Sequence, residues 1–281
     1  MVAINKLWLA TLTKNKDDAE TDTSRLNLTV NIDGRDAVDR DFGFLAGSGW
    51  LSGGFGPDKG WLGRGATAIS EQKETLEAPF DTTALTNSSI RLGIRSDDAW
   101  APHHAILLGS AQRQVIALAM ETEIDHWLST DTTEGKLSIP MRLVGQGDSN
   151  TQIRRILVLA YTESGDDAGT EHPVQIQITA GGNLVLQHSA QGGFGEYTGN
   201  LYMVDAAAPF TKSQMQQNGG IRVSVLGKDA WIPKSLFVYG LDTATGRPNN
   251  VVHLASVPEW TFGALSADVS EGKPSVALPV G

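Results

Sequence analysis

The chain has 281 residues, no cysteine and a formal net charge of −10. Its length and apolar content suit two domains of about 100–150 residues, each with its own core. The acidic balance, without a block of lysine or arginine, argues against nucleic acid as a partner because phosphates would be repelled. The absence of cysteine excludes disulfides, thiolate zinc sites and cysteine nucleophiles.

The first apolar run, residues 7–10, is shorter than a signal-peptide core and is not followed by a small-residue cleavage site. No stretch reaches the roughly 18–20 apolar residues of a membrane-spanning helix. We therefore expect no signal peptide and no transmembrane segment, which leaves the cytoplasm and non-classical export both open.

Short apolar runs between polar turns predict strands along the first half of the chain. Residues 7–12 form the first run, and residues 26–32 are apolar at every second position, as in a strand with one buried face. Residues 67–76 are the best candidate for a helix. Residues 90–94 alternate again, and residues 105–108 are continuously apolar, which is typical of a central strand.

The second half repeats this order. Residues 156–161 are apolar, residues 174–178 and 221–225 alternate, and residues 236–239 are continuously apolar. Many short strands with glycine-rich turns predict an all-β chain with an antiparallel β-sandwich in each half.

Four motifs occur twice, in the same order. The first set is Thr13-x-x-x-Asp17-Asp18-Ala19-x-Thr21-Asp22, Gly53-Gly54-Phe55-Gly56, Asp98-Ala99-Trp100-x-Pro102 and Leu128-Ser129-x-Asp131-x-x-Glu134-Gly135-Lys136. The second set is Thr162-x-x-x-Asp166-Asp167-Ala168-x-Thr170-Glu171, Gly192-Gly193-Phe194-Gly195, Asp229-Ala230-Trp231-x-Pro233 and Leu265-Ser266-x-Asp268-x-x-Glu271-Gly272-Lys273. The repetition predicts a tandem duplication, with domains at residues 1–148 and 152–281 joined by a polar, glycine-containing link.

An apolar strand, a turn of the type Thr…Ala-x-Thr-Asp, an alternating strand, a glycine-rich middle and a late Asp-x-Trp resemble the PLAT (lipoxygenase-homology) β-sandwich. The second copy, with Ala168-Gly169-Thr170-Glu171, is the closer match, whereas the first has Glu20 where the family has glycine. The resemblance implies a non-catalytic domain that binds calcium and docks on membrane lipid or a protein. It implies Asp22 and Glu171 as calcium ligands, together with a backbone oxygen of the Gly169 turn.

Further carboxylates crowd the same turns and the loop before each repeated tryptophan. They are Asp17, Asp18, Asp98, Asp166, Asp167 and Asp229. Calcium takes six to eight oxygen ligands in flexible loops, so these residue types suit a calcium site. Aspartate is also a preferred turn residue, because its side chain bonds nearby backbone amides. A calcium site and a purely structural turn are therefore both open.

A glycine-rich segment of the first copy carries three large aromatic residues, Trp50, Phe55 and Trp61, and the second copy keeps Phe194 and Tyr197. The segment lacks the Gly-Lys-Ser/Thr of a phosphate loop. Its aromatic side chains suit insertion into a lipid interface or stacking on a sugar ring. The alternative is that they cover the end of the sandwich.

The remaining repeated residues favour structural roles. Trp100 and Trp231 are expected in the cores, each with a partner for its indole N–H, while the aspartate two positions before each braces a turn. The Glu134-Gly135-Lys136 segment is interpreted as a hairpin turn with a charge pair at its rim.

Catalytic patterns are weak. None of the six histidines has metal-binding spacing, and no Gly-x-Ser-x-Gly occurs. Two nearby carboxylates, Glu121 and Glu123, leave a polysaccharide hydrolase open. The sequence favours a non-catalytic binding protein, with a membrane surface, a glycan or a protein as partner. The alternative is a structural protein that assembles into homo-oligomers.

Overall fold

The computed structural model describes residues 3–16, 19, 25–32, 34–43, 67–71, 76, 79–95, 97–111, 114–162, 167–191, 194–196 and 198–281. The chain divides into two compact units, Met1–Val144 and Gly145–Gly281. At the start of the second unit, Gly145 N–H donates to Asn249 O, 2.8 Å away within the same unit.

Unit 1 contains ten described strands and one 3₁₀ helix. The strands are β1 (Ala3–Ile4), β2 (Lys6–Thr13), β3 (Arg25–Ile32), β4 (Arg35–Gly43), β5 (Thr67–Glu71), β6 (Phe80–Asp81), β7 (Ser88–Ile94), β8 (Pro102–Ala111), β9 (Gln114–Thr122) and β10 (Ser138–Met141). The 3₁₀ helix is Thr82–Asn87. Two antiparallel sheets result, in the orders β5-β2-β8-β9 and β10-β7-β3-β4, and β1 pairs with β6.

Unit 2 contains nine described strands and one α-helix. The strands are β11 (Gly145–Gln146), β12 (Ile153–Thr162), β13 (Val174–Ala180), β14 (Asn183–Ala190), β15 (Gly199–Phe210), β16 (Gly220–Val225), β17 (Pro233–Leu241), β18 (Asn250–Val257) and β19 (Ser275–Leu278). The helix α1 is Lys212–Asn218. The sheets have the orders β15-β12-β17-β18, extended by β11 beside β18, and β14-β13-β16-β19.

The two units share one strand order. When β12 to β19 are aligned in chain order with β2 to β10, leaving out β6, the two four-stranded sheets of unit 2 have the same strand order and the same antiparallel pairing as those of unit 1. The all-β prediction is confirmed, and the tandem duplication, with which this shared order is consistent, stays a prediction. Within the described ranges, no helix has the length and apolar character needed to span a bilayer.

The two sheets of a unit differ in how they are buried, as their sequences predict. In β13 the residues alternate between buried and half-buried, so only one face meets the core. In β12 both alternate sets are buried: Ile156 and Val158 belong to the core between the sheets, and Leu157 and Leu159 are buried as well. A strand buried on both faces reads as a continuous apolar run.

The helix prediction for residues 67–76 is wrong, because residues 67–71 form β5 and pair with β2. The pairing offers Ile69 a buried position, and tertiary contact overrides a weak helical pattern. The true helix, α1, is preceded by a capping box: Gln214 N–H donates to Thr211 Oγ1, and Thr211 N–H donates to Gln214 Oε1. Its Thr-x-x-Gln spacing was the sequence signal that could have located it.

Candidate functional site

The repeated motifs that the structure describes meet at one end of each unit, where the first long strand ends and the tryptophan-led strand begins. In unit 2, Ile232 N–H donates to Ala168 O and Thr170 N–H donates to Phe194 O, each at 2.9 Å. Trp231 and Leu265 exchange backbone hydrogen bonds of 2.8 and 2.9 Å. Four loops that are distant in sequence are thus tied together. We call this region the loop end of the unit.

A buried tryptophan anchors each loop end. Trp231 Nε1–H donates to Thr162 Oγ1 at 3.1 Å, and Trp100 Nε1–H donates to Thr13 Oγ1 at 2.9 Å. Both indoles are 0% exposed, so the threonine hydroxyl satisfies a donor that has no access to water. The prediction that both tryptophans lie in the cores with partnered N–H groups is confirmed.

The Leu-Ser-x-Asp motif forms a second brace. In unit 2, Ser266 Oγ donates to Lys228 O and accepts Asp268 N–H at 3.0 Å. Asp268 Oδ1 in turn accepts both the N–H and the hydroxyl of Ser270, at 2.9 and 2.7 Å. These bonds favour the carboxylate and lower the pKa of Asp268.

Unit 1 repeats this brace with Ser129, Asp131 and Thr133. Asp131 Oδ1 accepts the N–H and hydroxyl of Thr133 at 2.8 and 2.7 Å, which lowers the pKa of Asp131.

The hairpin interpretation of residues 134–136 is wrong, because Lys136 pairs with Leu128 in a parallel bridge. Glu134 N–H and Gly135 N–H both donate to Asp131 O. The turn that these bonds close leads the chain back beside Leu128, so that Lys136 runs parallel to it. Lys136 Nζ lies 3.0 Å from His126 Nε2.

The glycine of this motif is required by space. A Cβ on Gly272 would lie 2.6 Å from Ala264 O, and one on Gly135 would lie 2.8 Å from Trp127 O. Both contacts are with backbone, which cannot move aside cheaply. The repeated glycine is therefore explained by packing, without a role in ligand binding.

The predicted metal ligands that the structure describes are exposed residues of the loop ends. Asp229 Oδ2 accepts Glu171 N–H at 3.1 Å, and Asp167 N–H donates to Glu196 Oε1 at 3.0 Å. Asp98 is exposed in unit 1. Among the described residues, no three His, Asp or Glu side chains are grouped so that they could hold a metal ion. Asp17, Asp18, Asp22 and Asp166 lie outside the described residues, so the calcium site stays a prediction.

Of the predicted aromatic contact residues, the structure describes Phe194. Its side chain is 1% exposed and lies edge-on to Trp231, with ring centroids 5.1 Å apart. In this position it packs in the core beneath the loop end. Trp50, Phe55, Trp61 and Tyr197 lie outside the described residues, and their ligand-binding role stays a prediction.

Unit 1 has an open groove of about 710 Å³ at its loop end. Its lining includes Lys14, Lys16, His103, Glu123 and Asp125. Lys14 Nζ lies 3.7 Å from an Asp125 carboxylate oxygen, and the lysine side chain is only 19% exposed while that of the aspartate is fully exposed. The groove therefore presents both signs of charge.

An aromatic ring lies beside this groove. Lys16 Nζ sits 4.3 Å from the centre of the half-buried Trp127 ring, a cation–π arrangement. This contact and the Lys14–Asp125 pair fix two flexible cations near one another. We call the groove and Trp127 together the charged groove.

The backbone has an uncommon conformation at one wall of the charged groove. Glu123 adopts a positive φ of 55°, and its N–H donates to His104 Nδ1 at 3.3 Å. His103 stacks on His104 with ring centroids 4.1 Å apart. Burial, followed by the nearby positive charge of Lys14, lowers the pKa of His103 against the opposing effect of Glu123, and the lowered pKa favours the neutral imidazole.

Sequence reasoning missed the charged groove because it looked for shared motifs, and these side chains are not shared. Unit 2 has Lys234 and Ser235 at the positions that correspond to His103 and His104. Unit 2 instead has Trp260 and Phe262 in the corresponding loop, edge-to-face with centroids 5.0 Å apart. This difference between the two sets of motifs was the sequence signal that could have located the groove.

Comparisons of this chain with protein-family models, with curated proteins and with solved structures found no match. Its function is therefore inferred from its own geometry.

Replacing Trp231 by phenylalanine removes the N–H that Thr162 accepts and leaves a small void. We expect a loss of about 1–3 kcal/mol in the free energy of unfolding, measured by urea denaturation. The matched control is Trp260→Phe, whose indole N–H donates to Gly263 O at an exposed site. There the loss should stay below about 1 kcal/mol. Equal losses would contradict the anchor role of Trp231.

Gly272→Ala should destabilise unit 2 by about 1–3 kcal/mol, because the added methyl group collides with Ala264 O. Gly220→Ala is the control, since nothing lies within 4 Å of a Cβ there. Its effect should stay within about 0.5 kcal/mol. Thermal or urea unfolding of both variants measures the difference, and an unaffected Gly272→Ala protein would remove the steric explanation.

Proposed function

We propose that the chain is a non-catalytic binding protein in which the charged groove of unit 1 engages a protein partner. The observation that carries this proposal is the groove itself, which has a volume of about 710 Å³ and cations and anions side by side on its wall. Glycan and membrane surfaces are the competing partner classes.

Some loop-end residues make the same contacts in both units and others differ, and this difference supports a binding role. Ser129 and Ser266 make equivalent hydrogen bonds in the two units, as do the indoles of Trp100 and Trp231. These residues hold the loops in place. The groove side chains differ between the units, which is how binding loops behave on a rigid scaffold.

The chemistry of the charged groove favours a protein over the other partners. Lys14 and Lys16 stand beside Glu123 and Asp125, so a partner needs both signs of charge in a small area. A protein surface supplies this mixture, and charge complementarity then sets specificity. The net charge of −10 opposes approach to an anionic membrane. The half-buried Trp127 ring, over which Lys16 lies, adds an aromatic surface beside these charges.

Reversing one charge in the groove tests the proposal. Peptides selected from a random display library on the full chain should bind the Lys14→Glu variant at least about tenfold more weakly, because Asp125 then faces a like charge. Fluorescence polarisation measures the affinity, and circular dichroism checks folding. Lys234→Glu, at the position in unit 2 that corresponds to His103, is the matched control and should leave affinity unchanged.

Two results would count against a protein partner. Binding to a glycan array or to anionic liposomes that is lost on Lys14→Glu would assign the groove to that class instead. If no ligand of any class depends on Lys14, the groove is not the binding site.

Calcium belongs to the proposal as a ligand of the loop end of unit 2. Four exposed carboxylates stand on three of its loops, Asp167, Glu171, Glu196 and Asp229, and by themselves they are not grouped closely enough to hold an ion. Backbone bonds to Glu196 and Asp229 already tie these loops together. A full shell of six to eight oxygens also requires the turn that carries Asp166.

Calcium should raise the midpoint of thermal unfolding by several degrees over chelator, because a ligand of the folded form alone stabilises it. Magnesium at the same concentration is the ion control. Glu171→Gln and Asp166→Asn should abolish the rise. If millimolar calcium does not change the midpoint of thermal unfolding, the calcium proposal is wrong, and the groove proposal is unaffected.

A further inference from the structure

Unit 2 exposes three aliphatic side chains on two adjoining loops of its loop end. Leu226 is 49% exposed, Val269 is 80% exposed, and Ala267 is exposed as well. Ala267 N–H donates to Gly227 O at 2.8 Å, which joins the loop that begins at Leu226 to the loop that carries Val269. We call Leu226, Ala267 and Val269 the aliphatic patch. It shares no residue with the charged groove of unit 1, so its role does not depend on the function proposed for that groove.

The fold of unit 2 does not require aliphatic residues at these positions. A single exposed aliphatic side chain is common on protein surfaces. In the described part of the chain, however, only four large apolar residues are this exposed, and Leu226 and Val269 are two of them. The equivalent positions of unit 1 are polar and exposed, namely Arg95, Thr130 and Thr132. The aliphatic character is therefore specific to unit 2 and is not part of the shared framework.

The backbone holds the aliphatic patch in a fixed position. Val269 lies in the turn that Gly272 N–H closes by donating to Asp268 O at 3.1 Å. On the other loop, Leu226 N–H donates to Pro173 O at 2.9 Å. A surface on ordered loops loses little conformational entropy when a partner binds, so it is suited to recognition.

Carboxylates outnumber cations around the aliphatic patch. Residues 168–173, 226–232 and 266–273 form the loops that meet here, and they carry four carboxylates and two lysines. The carboxylates are Glu171, Asp229, Asp268 and Glu271, and the lysines are Lys228 and Lys273. The residues of unit 2 outside the described part, 163–166, 192–193 and 197, include no lysine or arginine in the sequence. A basic partner is therefore attracted to this surface.

The combination of aliphatic contact and negative charge selects one class of partner. In a two-fold contact, a second copy of the chain would place the same carboxylates against one another, which is unfavourable. An anionic bilayer is repelled by these charges as well. Sites for small molecules and sugars are concave and combine aromatic rings with polar groups, whereas this patch consists of exposed aliphatic side chains on loops. A protein segment with aliphatic side chains and flanking cations satisfies both features.

We propose that the aliphatic patch is a protein-binding surface whose partner is a basic amphipathic segment of another protein. The aliphatic residues of that segment pack on Leu226 and Val269, and its lysines or arginines lie opposite Glu171, Asp229 and Glu271. The apolar contact contributes affinity, and the charges contribute specificity and the rate of association. Because the charged groove carries both signs of charge and the aliphatic patch is acidic and apolar, the two surfaces select different partners.

The test titrates the full chain with a short labelled amphipathic peptide of leucine and lysine, by fluorescence polarisation in the presence of chelator. The chelator prevents an ion from neutralising Glu171 and Asp229. Two comparison peptides have the same pattern, one with glutamate in place of lysine and one with serine in place of leucine. We expect saturable binding of the leucine–lysine peptide and binding at least about tenfold weaker for each comparison peptide.

Substitutions by polar residues locate the binding surface. Leu226→Ser combined with Val269→Thr should weaken binding of the leucine–lysine peptide about tenfold or more, because both apolar contacts are lost. Leu184→Ser is the matched control, since Leu184 is 52% exposed beside the turn between β13 and β14, at the opposite end of unit 2. It should leave the affinity unchanged. Lys14→Glu should also leave it unchanged, so that this proposal and that of the charged groove can fail separately.

Each alternative result overturns the proposal. Equal binding of the serine peptide removes the apolar contact, and equal binding of the glutamate peptide removes the charge. Undiminished binding by the double variant, with circular dichroism that matches the parent, places the peptide elsewhere, and a loss with Lys14→Glu places it in the charged groove. Dimers of the chain that the double variant abolishes assign the patch to a second copy, and phosphatidylcholine vesicles bound through the same two residues assign it to a bilayer.

Discussion

A buried indole N–H needs an acceptor, and one hydrogen bond in each unit supplies it. Trp100 reaches Thr13 and Trp231 reaches Thr162, in both cases joining the start of one long strand to the end of another. Because neither indole has access to water, loss of the acceptor would leave an unpaired polar group in the core. The loops that flank these two strands are held in place by this bond. The remainder of the loop end is assembled around it.

The second constraint is the brace formed by the Leu-Ser-x-Asp loop. Ser266 bonds to Lys228 O from one side and receives Asp268 N–H from the other, so it joins the loop before Trp231 to the loop after β18. Gly272 permits the close return of the chain past Ala264. With both braces present, the outer surface of the loop end can vary without changing the fold. The charged groove of unit 1 and the Trp260–Phe262 pair of unit 2 are two such surfaces.

The arrangement of the sheets limits which side chains can contact a partner. The β12 strand is buried on both sides, so its side chains are committed to packing. The β13 strand of unit 2 and the β7 strand of unit 1 each have one face toward solvent, and in β7 that face carries Arg91. The loop ends and the exposed sheet faces are therefore the surfaces that can contact a partner.

The sequence alone determined the fold class and the framework. Alternation in residues 174–178 and continuous apolarity in residues 236–239 reflect one-sided and two-sided burial, which depend on local pattern. The core positions of Trp100 and Trp231 followed from the size of the indole and its single donor. Tertiary structure decided the rest. Residues 67–71 became a strand because β2 offered a partner, and Lys14, His103 and Asp125 became neighbours because strand pairing brought their loops together. Such proximity depends on contacts between residues far apart in the chain, which no local pattern encodes.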